Sequence, residues 1–346
     1  MKVSYSEAKS QIVEQFFVPY FLRENSEQGW DFSNKERAVL QDVLLVMTDL
    51  YQVFLPYKER IQRYYLMGHG PSLLHMIFLE MLEEEKEVKT AEDVHLYGLQ
   101  LSDEKIREHL TILLNTEREE MDAKLDFWEG LEHSTADPAS KWHFSQFYRH
   151  PRQSMEALIQ LSRELVDLYQ PYLKQGAAER QAYAQSFSLE DFLHQTPLLS
   201  QFSWTGREEE AVDLFIVSPW VANFMAYQSD AADHPHHYFF LSCRIDQILG
   251  QGKGLDLEEF ARILKVISDE TRYKVLVELT KPHAKSKAIA QALDITGAAV
   301  SFHTQKLINA QLLLLNREDK HIKYNVNKDL LREVIAKIQQ DFDLES

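Results

Sequence analysis

The tetrapeptide Gln251-Gly252-Lys253-Gly254 separates two stretches of different chemistry, and any fold of this chain has to respect that division. From Leu255 onward there are 14 Lys+Arg and 14 Asp+Glu; the residues before hold the other 23 and 40, so the whole net charge of −17 lies ahead of the glycines. The aromatics divide at the same place. Only Phe260, Tyr273, Phe302, Tyr324 and Phe342 follow it, which leaves 34 of 39 before it. Two glycines in four residues leave the backbone free to turn. The expectation is an acidic, aromatic-rich domain over 1–250, a linker over 251–254 and a second domain over 255–346.

A chain of 346 residues, 45% hydrophobic, is long enough for two globular domains and too apolar for disorder. The lone cysteine, Cys243, cannot form an internal bridge, and the first residues carry Glu7 and Glu14 where a signal peptide needs an apolar run, so a reducing cytoplasmic setting is expected. Ala38 to Leu55 is broken by Gln41, Asp42, Thr48, Asp49 and Gln52. It falls short of the roughly 18 uninterrupted apolar residues of a membrane span, and no membrane association is expected.

Before the linker, apolar residues recur at helical spacing, as in Val39, Val43, Leu44, Met47, Leu50, Tyr51, Phe54 and in Met155, Leu158, Leu161, Leu165, Leu168, Tyr169, Tyr172. Four spacings suit capping boxes: Ser4 with Glu7, Ser33 with Glu36, Thr90 with Asp93 and Ser188 with Asp191, the Glu versions having the better reach. Asp213–Val217 and Tyr238–Ser242 are short aromatic and β-branched runs that suit a small strand pair. The fold class expected is mainly α: a helical N-terminal domain with a small strand pair, then a domain of short, well-punctuated elements.

That second domain reads as a helix over Leu257–Ile267 and a second carrying Val275, Leu276 and Leu279, ended by Pro282. Ser286 can cap a third helix over Lys287–Leu293, and Thr296 a fourth running to about Ala310, the two making a helix-turn-helix. Leu312–Arg317 and Ile322–Val326 alternate as a hairpin should, around Glu318-Asp319-Lys320, and Lys328–Gln340 is a closing amphipathic helix.

ISDETRYKVLVEL (Ile267 to Leu279), SKAIAQALDIT (Ser286 to Thr296), AVSFHTQKLINAQLL (Ala299 to Leu313) and HIKYNV (His321 to Val326) follow one another in order, and together this stretch resembles the winged-helix transcription regulators of the ArsR family. The resemblance implies a winged helix-turn-helix whose helix after Thr296 enters the major groove, whose hairpin reaches the backbone or minor groove, and whose first and last helices form a dimer contact. The chain departs from the family's usual polar residues at Gly297, Ala298, Ala299 and Phe302, and from its usual glycine at Gln311. Metal-sensing members carry paired cysteines or Asp and His sets. Lys285–Ala292 has no cysteine and Asp329–Gln340 no histidine, so those sites, and any cofactor, are expected to be absent.

The side chains suit duplex DNA as a partner. Ser301, His303 and Gln305 offer groups for base edges or phosphates, as do Ser286, Lys287 and Thr296 at the helix starts; Gly297, Ala298 and Ala299 allow close approach. Lys306, Arg317, Lys320 and Lys323 can neutralise phosphates, whereas Glu318 and Asp319 would be repelled by them. His303 has a second reading, packing against the first helix of the motif.

In the N-terminal domain, His234-Pro235-His236-His237 beside Asp230 and Asp233 is the one metal-like cluster. Pro235 and its small polar neighbours read as an exposed loop joining the two strands, in which the histidines are solvated; whether His234, His236 and His237 bind a metal is open. Cys243, in apolar surroundings, reads as a small buried hydrophobe. Glu83–Glu85 and Glu208–Glu210 read as solvated faces. No phosphate loop, nucleophile elbow or zincin helix occurs, so no catalytic residue is nominated and an enzyme is not expected. Trp30, Trp128, Trp142, Trp204 and Trp220 with the tyrosines suit either a pocket for a small apolar or amphipathic effector or simply an aromatic core or protein-binding surface. The expected function is a homodimeric, DNA-binding transcription regulator, acting as a repressor on a short inverted repeat and modulated through the N-terminal domain. The alternative is a protein-interaction scaffold or small-molecule enzyme in which the winged helix serves assembly only.

Overall fold

Ser4 does not cap the first helix. It lies in a strand, β1 (Lys2–Tyr5), where its hydroxyl donates to Asp213 at 2.8 Å. The cap falls two residues later, Ser6 Oγ accepting from the Lys9 amide at the start of α1 (Glu7–Phe17). The computed structural model describes residues 2–20, 22, 34–66, 72–116, 125–134, 136–196, 211–221, 224–228, 236–249, 257–281, 286–318 and 321–344. The chain is mainly α-helical and divides into two units: Met1–Arg118, Asp122–Phe187 and Gly206–Ile248 form one, Glu119–Met121, Ser188–Thr205 and Leu249–Ser346 the other. Among the described residues no helix is long and apolar enough to cross a membrane.

In the first unit α1 is followed by α2 (Asn34–Leu40), α3 (Leu44–Phe54), α4 (Lys58–Tyr64), α5 (Leu73–Glu83), α6 (Ala91–Gln100), α7 (Asp103–Thr116), α8 (Phe127–His133), α9 (Pro138–Arg149) and α10 (Pro151–Ser186). The periodic run Val39 to Phe54 is split by a turn between α2 and α3. Thr90 and Asp93 make the full reciprocal box at the start of α6, so the shorter Asp closes it after all. Ser188 accepts from the Asp191 amide at the start of α11 (Leu189–Gln195), which groups with the second unit; Ser33 lies outside the described residues. The 36 residues of α10 bury Met155, Leu158, Leu161, Leu165 and Tyr169 as their spacing predicts.

The expected strand pair is the centre of a four-stranded sheet. β2 (Ala211–Val217) and β4 (His236–Ser242) pair in parallel, Ala211 opposite His236 and Val217 opposite Ser242. β1 joins the outer edge of β2 in parallel, and β3 (Phe224–Gln228) lies antiparallel on β4, giving the order β1-β2-β4-β3. Every residue of β2 and β4 after the first is buried. A sheet covered on both faces needs continuous apolar runs rather than alternation, which is what LFIV and YFFL supply. This overturns the expected exposed loop at 236–237: His236 and His237 begin β4, and His237 is 6% exposed.

Just past the carboxyl end of β2 the Ser218 side chain lies against α10 so closely that a side chain at position 176 would displace it. A Cβ on Gly176 would lie 2.1 Å from Ser218 Oγ and 2.8 Å from Arg180 Nη1. Gly176→Ala is therefore expected to destabilise the unit by about 1–3 kcal/mol through overpacking, although alanine is the better helix former. Urea unfolding checks this; an unchanged midpoint would mean that helix and strand end separate without cost.

The second unit holds α13 (Leu257–Ile267), α14 (Glu270–Glu278), α15 (Ser286–Leu293), α16 (Gly297–Asn309), the hairpin β5 (Leu313–Glu318) and β6 (His321–Val326), and α17 (Lys328–Asp341); α12 (Ile245–Leu249) precedes it. Its core joins Phe260 and Ile263 of α13, Val275 and Leu276 of α14, Ile289 of α15, Val300 and Leu307 of α16, Leu312, Leu313 and Val326 of the hairpin region and Val334 of α17. The hairpin pairs from Leu313 opposite Val326 to Glu318 opposite His321.

Candidate nucleic-acid interface

α16 is started by Thr296, whose Oγ1 accepts from the Ala299 amide at 3.1 Å, satisfying one of the free donors of a helix N-terminus. Asp294, at φ 53°, ends α15, and Gln311, at φ 57°, follows α16. Left-handed backbone at a non-glycine residue costs about 1–2 kcal/mol, so Gln311 holds at a cost the conformation that a glycine adopts freely. Its amide still bonds to the Ile308 carbonyl, at 2.8 Å, and its carbonyl accepts from Asn327 Nδ2 at 3.0 Å.

Helical geometry sorts the residues of α16. Val300, Thr304 and Leu307 are buried, leaving Ser301, Phe302, Gln305 and Asn309 exposed together one turn apart. Gln305 Nε2 donates to Asn309 Oδ1 at 2.9 Å, and the Lys306 ammonium lies 5.7 Å from the Phe302 ring centroid. Phe302 is 58% exposed. Gly297 is exposed with open space around its Cβ position, and Ala299 is half-buried. His303 is half-buried and turned away from that face. Its ring lies edge-on to that of Phe302, the centroids 5.5 Å apart.

Ser286, half-buried, opens α15, which packs on α16. Lys287 and Ala298 have side chains outside the described residues. So have Arg317, whose backbone pairs with Ile322, and Lys323, opposite Asn316; Lys320 lies outside altogether. The structure thus brings Ser301 and Gln305 together and adds Phe302 and Asn309 to their face. Asn309 was findable in the sequence as the next turn after Gln305.

In the first unit three groups invite a chemical reading. Glu92, His95 and Ser162 have the connectivity of a hydrolytic triad, with His95 Nδ1 3.2 Å from Glu92 Oε2 and Nε2 2.9 Å from Ser162 Oγ. Ser162 is 0% and His95 1% exposed, so no substrate reaches that hydroxyl, and the bonds tie α6 to α10. His236 Nε2 lies 3.3 Å from Asp213 Oδ2, but no group of three or more metal-ligating side chains occurs among the described residues; His234 lies outside them. Cys243 is buried, and burial pushes its thiol up, away from reactivity.

The third group was not legible beforehand. Glu14 and Arg180 are both fully buried. Glu14 accepts from the Ser218 amide at 2.9 Å, from Ser218 Oγ at 2.6 Å and from the Tyr169 hydroxyl, and Arg180 Nη1 lies 3.2 Å from its Oε2. Arg180 also reaches Ser218 Oγ, the Leu173 carbonyl and Glu7, and Trp220 Nε1 donates to the Tyr169 hydroxyl at 2.6 Å. Burial pushes the Glu14 carboxyl up while Arg180, Ser218 and Tyr169 pull it down. With every polar atom engaged, the network fastens α1, α10 and the end of β2. The described tryptophans share no pocket: Trp220 is in this network, and Trp128 and Trp142 lie at the surface, 45% and 60% exposed. Comparison with protein-family models and with curated proteins finds no match to the chain.

Proposed function

We propose that the protein is a DNA-binding transcription regulator, acting as a homodimeric repressor on a short inverted repeat, with residues 255–346 folded as a winged helix-turn-helix like that of the ArsR family and residues 1–250 biasing its binding. The observation that carries the reading is the exposed polar face of a capped α16, set by α15 in a helix-turn-helix and followed at once by the β5–β6 hairpin. A helix so placed fits a major groove, where Ser301, Gln305 and Asn309 can bond base edges. Leu257, 72% exposed, Ile335, 55%, and Phe342, 72%, lie on or beside the first and last helices of the unit and suit burial against a second copy.

Fluorescence anisotropy of the full chain on DNA enriched from its own genome tests the reading. A dimer neutralising about six phosphates gives a slope of log affinity against log salt of roughly −5. Lys306→Ala is expected to weaken all sequences alike and flatten that slope by about two units per dimer, whereas Gln305→Ala costs about 1–3 kcal/mol on the enriched site and little on random DNA. No binding at about 50 mM salt and micromolar protein overturns the proposal. The solvent-exposed Phe302 ring favours one second reading, in which the same face binds a protein and the unit serves assembly.

A further inference from the structure

At the junction of α9 and α10, Arg63 from α4, His143, Gln146 and Phe147 from α9, and His150, Gln153 and Ser154 line a small open pocket of about 70 Å³. None of its lining residues is acidic, in a unit where carboxylates outnumber basic groups. Five other arginines of the unit are committed, Arg60 to Glu164, Arg107 to the Tyr148 carbonyl, Arg152 to the carbonyls of Leu99 and Leu101, Arg163 to Glu92 and Arg244 to Asp42 and Glu179, while Arg149 lies over the Trp128 ring and does not line the pocket. Arg63 lies 5.2 Å from the Tyr64 ring centroid and has no carboxylate or carbonyl partner among the described residues. The side chains of His143, Gln146, His150 and Gln153 likewise make no hydrogen bond there.

We propose that this pocket binds a phosphate-type oxyanion, either free phosphate or the phosphoryl end of a small metabolite. A guanidinium fork, two imidazoles, two carboxamides and a hydroxyl supply more donors than a planar carboxylate can use and suit three or four tetrahedrally disposed oxygens. The net charge of −17 does not prevent this, because at physiological salt charges more than about 8 Å away are screened. The site is polar where the aromatic content had suggested an apolar one, and the inference does not rest on DNA binding.

Isothermal titration of the full chain with inorganic phosphate, ribose 5-phosphate and acetate is the test. Saturable binding of a phosphate species with a dissociation constant of roughly 1 mM or below is expected, at least about tenfold weaker in Arg63→Gln for loss of the charged fork. It should be unchanged in Arg149→Gln, which removes a neighbouring cation that does not line the pocket. Tighter binding of ribose 5-phosphate than of phosphate identifies a metabolite's phosphoryl end as the ligand, and the reverse identifies the free ion. No saturation by about 10 mM, acetate binding as tightly as phosphate, or equal losses in the Arg63 and Arg149 variants overturns the proposal.

Discussion

Replacing Arg180 by methionine is expected to cost the N-terminal unit about 3–5 kcal/mol, because it strands the Glu14 carboxylate in a site with no access to water. The methionine fills most of the space, so the loss is electrostatic rather than a cavity effect. Glu14→Gln alone leaves a buried guanidinium with Glu7 as its remaining carboxylate partner and should cost less. The double variant should be markedly more stable than the sum of the two single losses implies, since it buries no uncompensated charge. Urea unfolding of the four proteins measures the cycle. Strict additivity would show that the two groups do not depend on each other.

The second large effect is a loss of stability in mild acid. His75 is fully buried, its Nδ1 accepting from the Ser72 amide at the start of α5 and its Nε2 3.1 Å from the Val13 carbonyl, so the neutral Nε2–H tautomer uses both nitrogens. Burial, opposed only by the Val13 carbonyl, brings its pKa down from 6.5 to about 4, and burial lowers His95 and His109 in the same direction. An unfolded chain binds these protons first. The folded state therefore has its full advantage above about pH 6.5 and loses it as pH falls toward about 4, by about 3 kcal/mol for His75 alone. Paired carboxylates such as Glu80 and Asp213, whose pKa values are lowered, give up their share only further down. Chemical unfolding at intervals from pH 7 to pH 4 should show the decline in the wild type and a flatter one in His75→Gln. Equal slopes would place the proton uptake elsewhere.

Features whose causes lie within a few residues were legible in the sequence. The Thr90–Asp93 box, the apolar stripe of α10, the Thr296 cap and the hairpin around Glu318 all follow from spacing and turn chemistry. What failed depended on partners far away. Ser4 has the spacing of a cap to Glu7, but pairing with β2 draws it into a strand and gives its hydroxyl to Asp213, 209 positions on. His236 and His237 look like loop residues beside Pro235, yet the parallel register with β2 holds them in the sheet. Glu14 and Arg180 lie in helices where each would pass for a surface charge; only a fold that sets residues 166 apart against the end of β2 makes them a buried pair. The face of α16 was readable as helical periodicity, although the half-burial of His303 belongs to tertiary packing.

The parallel pairing of β1 with β2, and of β2 with β4, also dictates an order of events during synthesis. Lys2–Tyr5 leaves the ribosome before its partner and finds none until Ala211–Val217 has followed, about 200 residues later. At 5–20 residues per second that is roughly 10–40 s in which the first strand and the apolar face of α1 wait. The helices from α2 to α10 contact one another, α10 meeting α4, α6 and α7, and all are made before β2, so they can form in that interval, whereas the sheet closes only when β4 arrives. The nascent chain thus carries an unpaired strand until β2 has been made, a natural place for a chaperone to act.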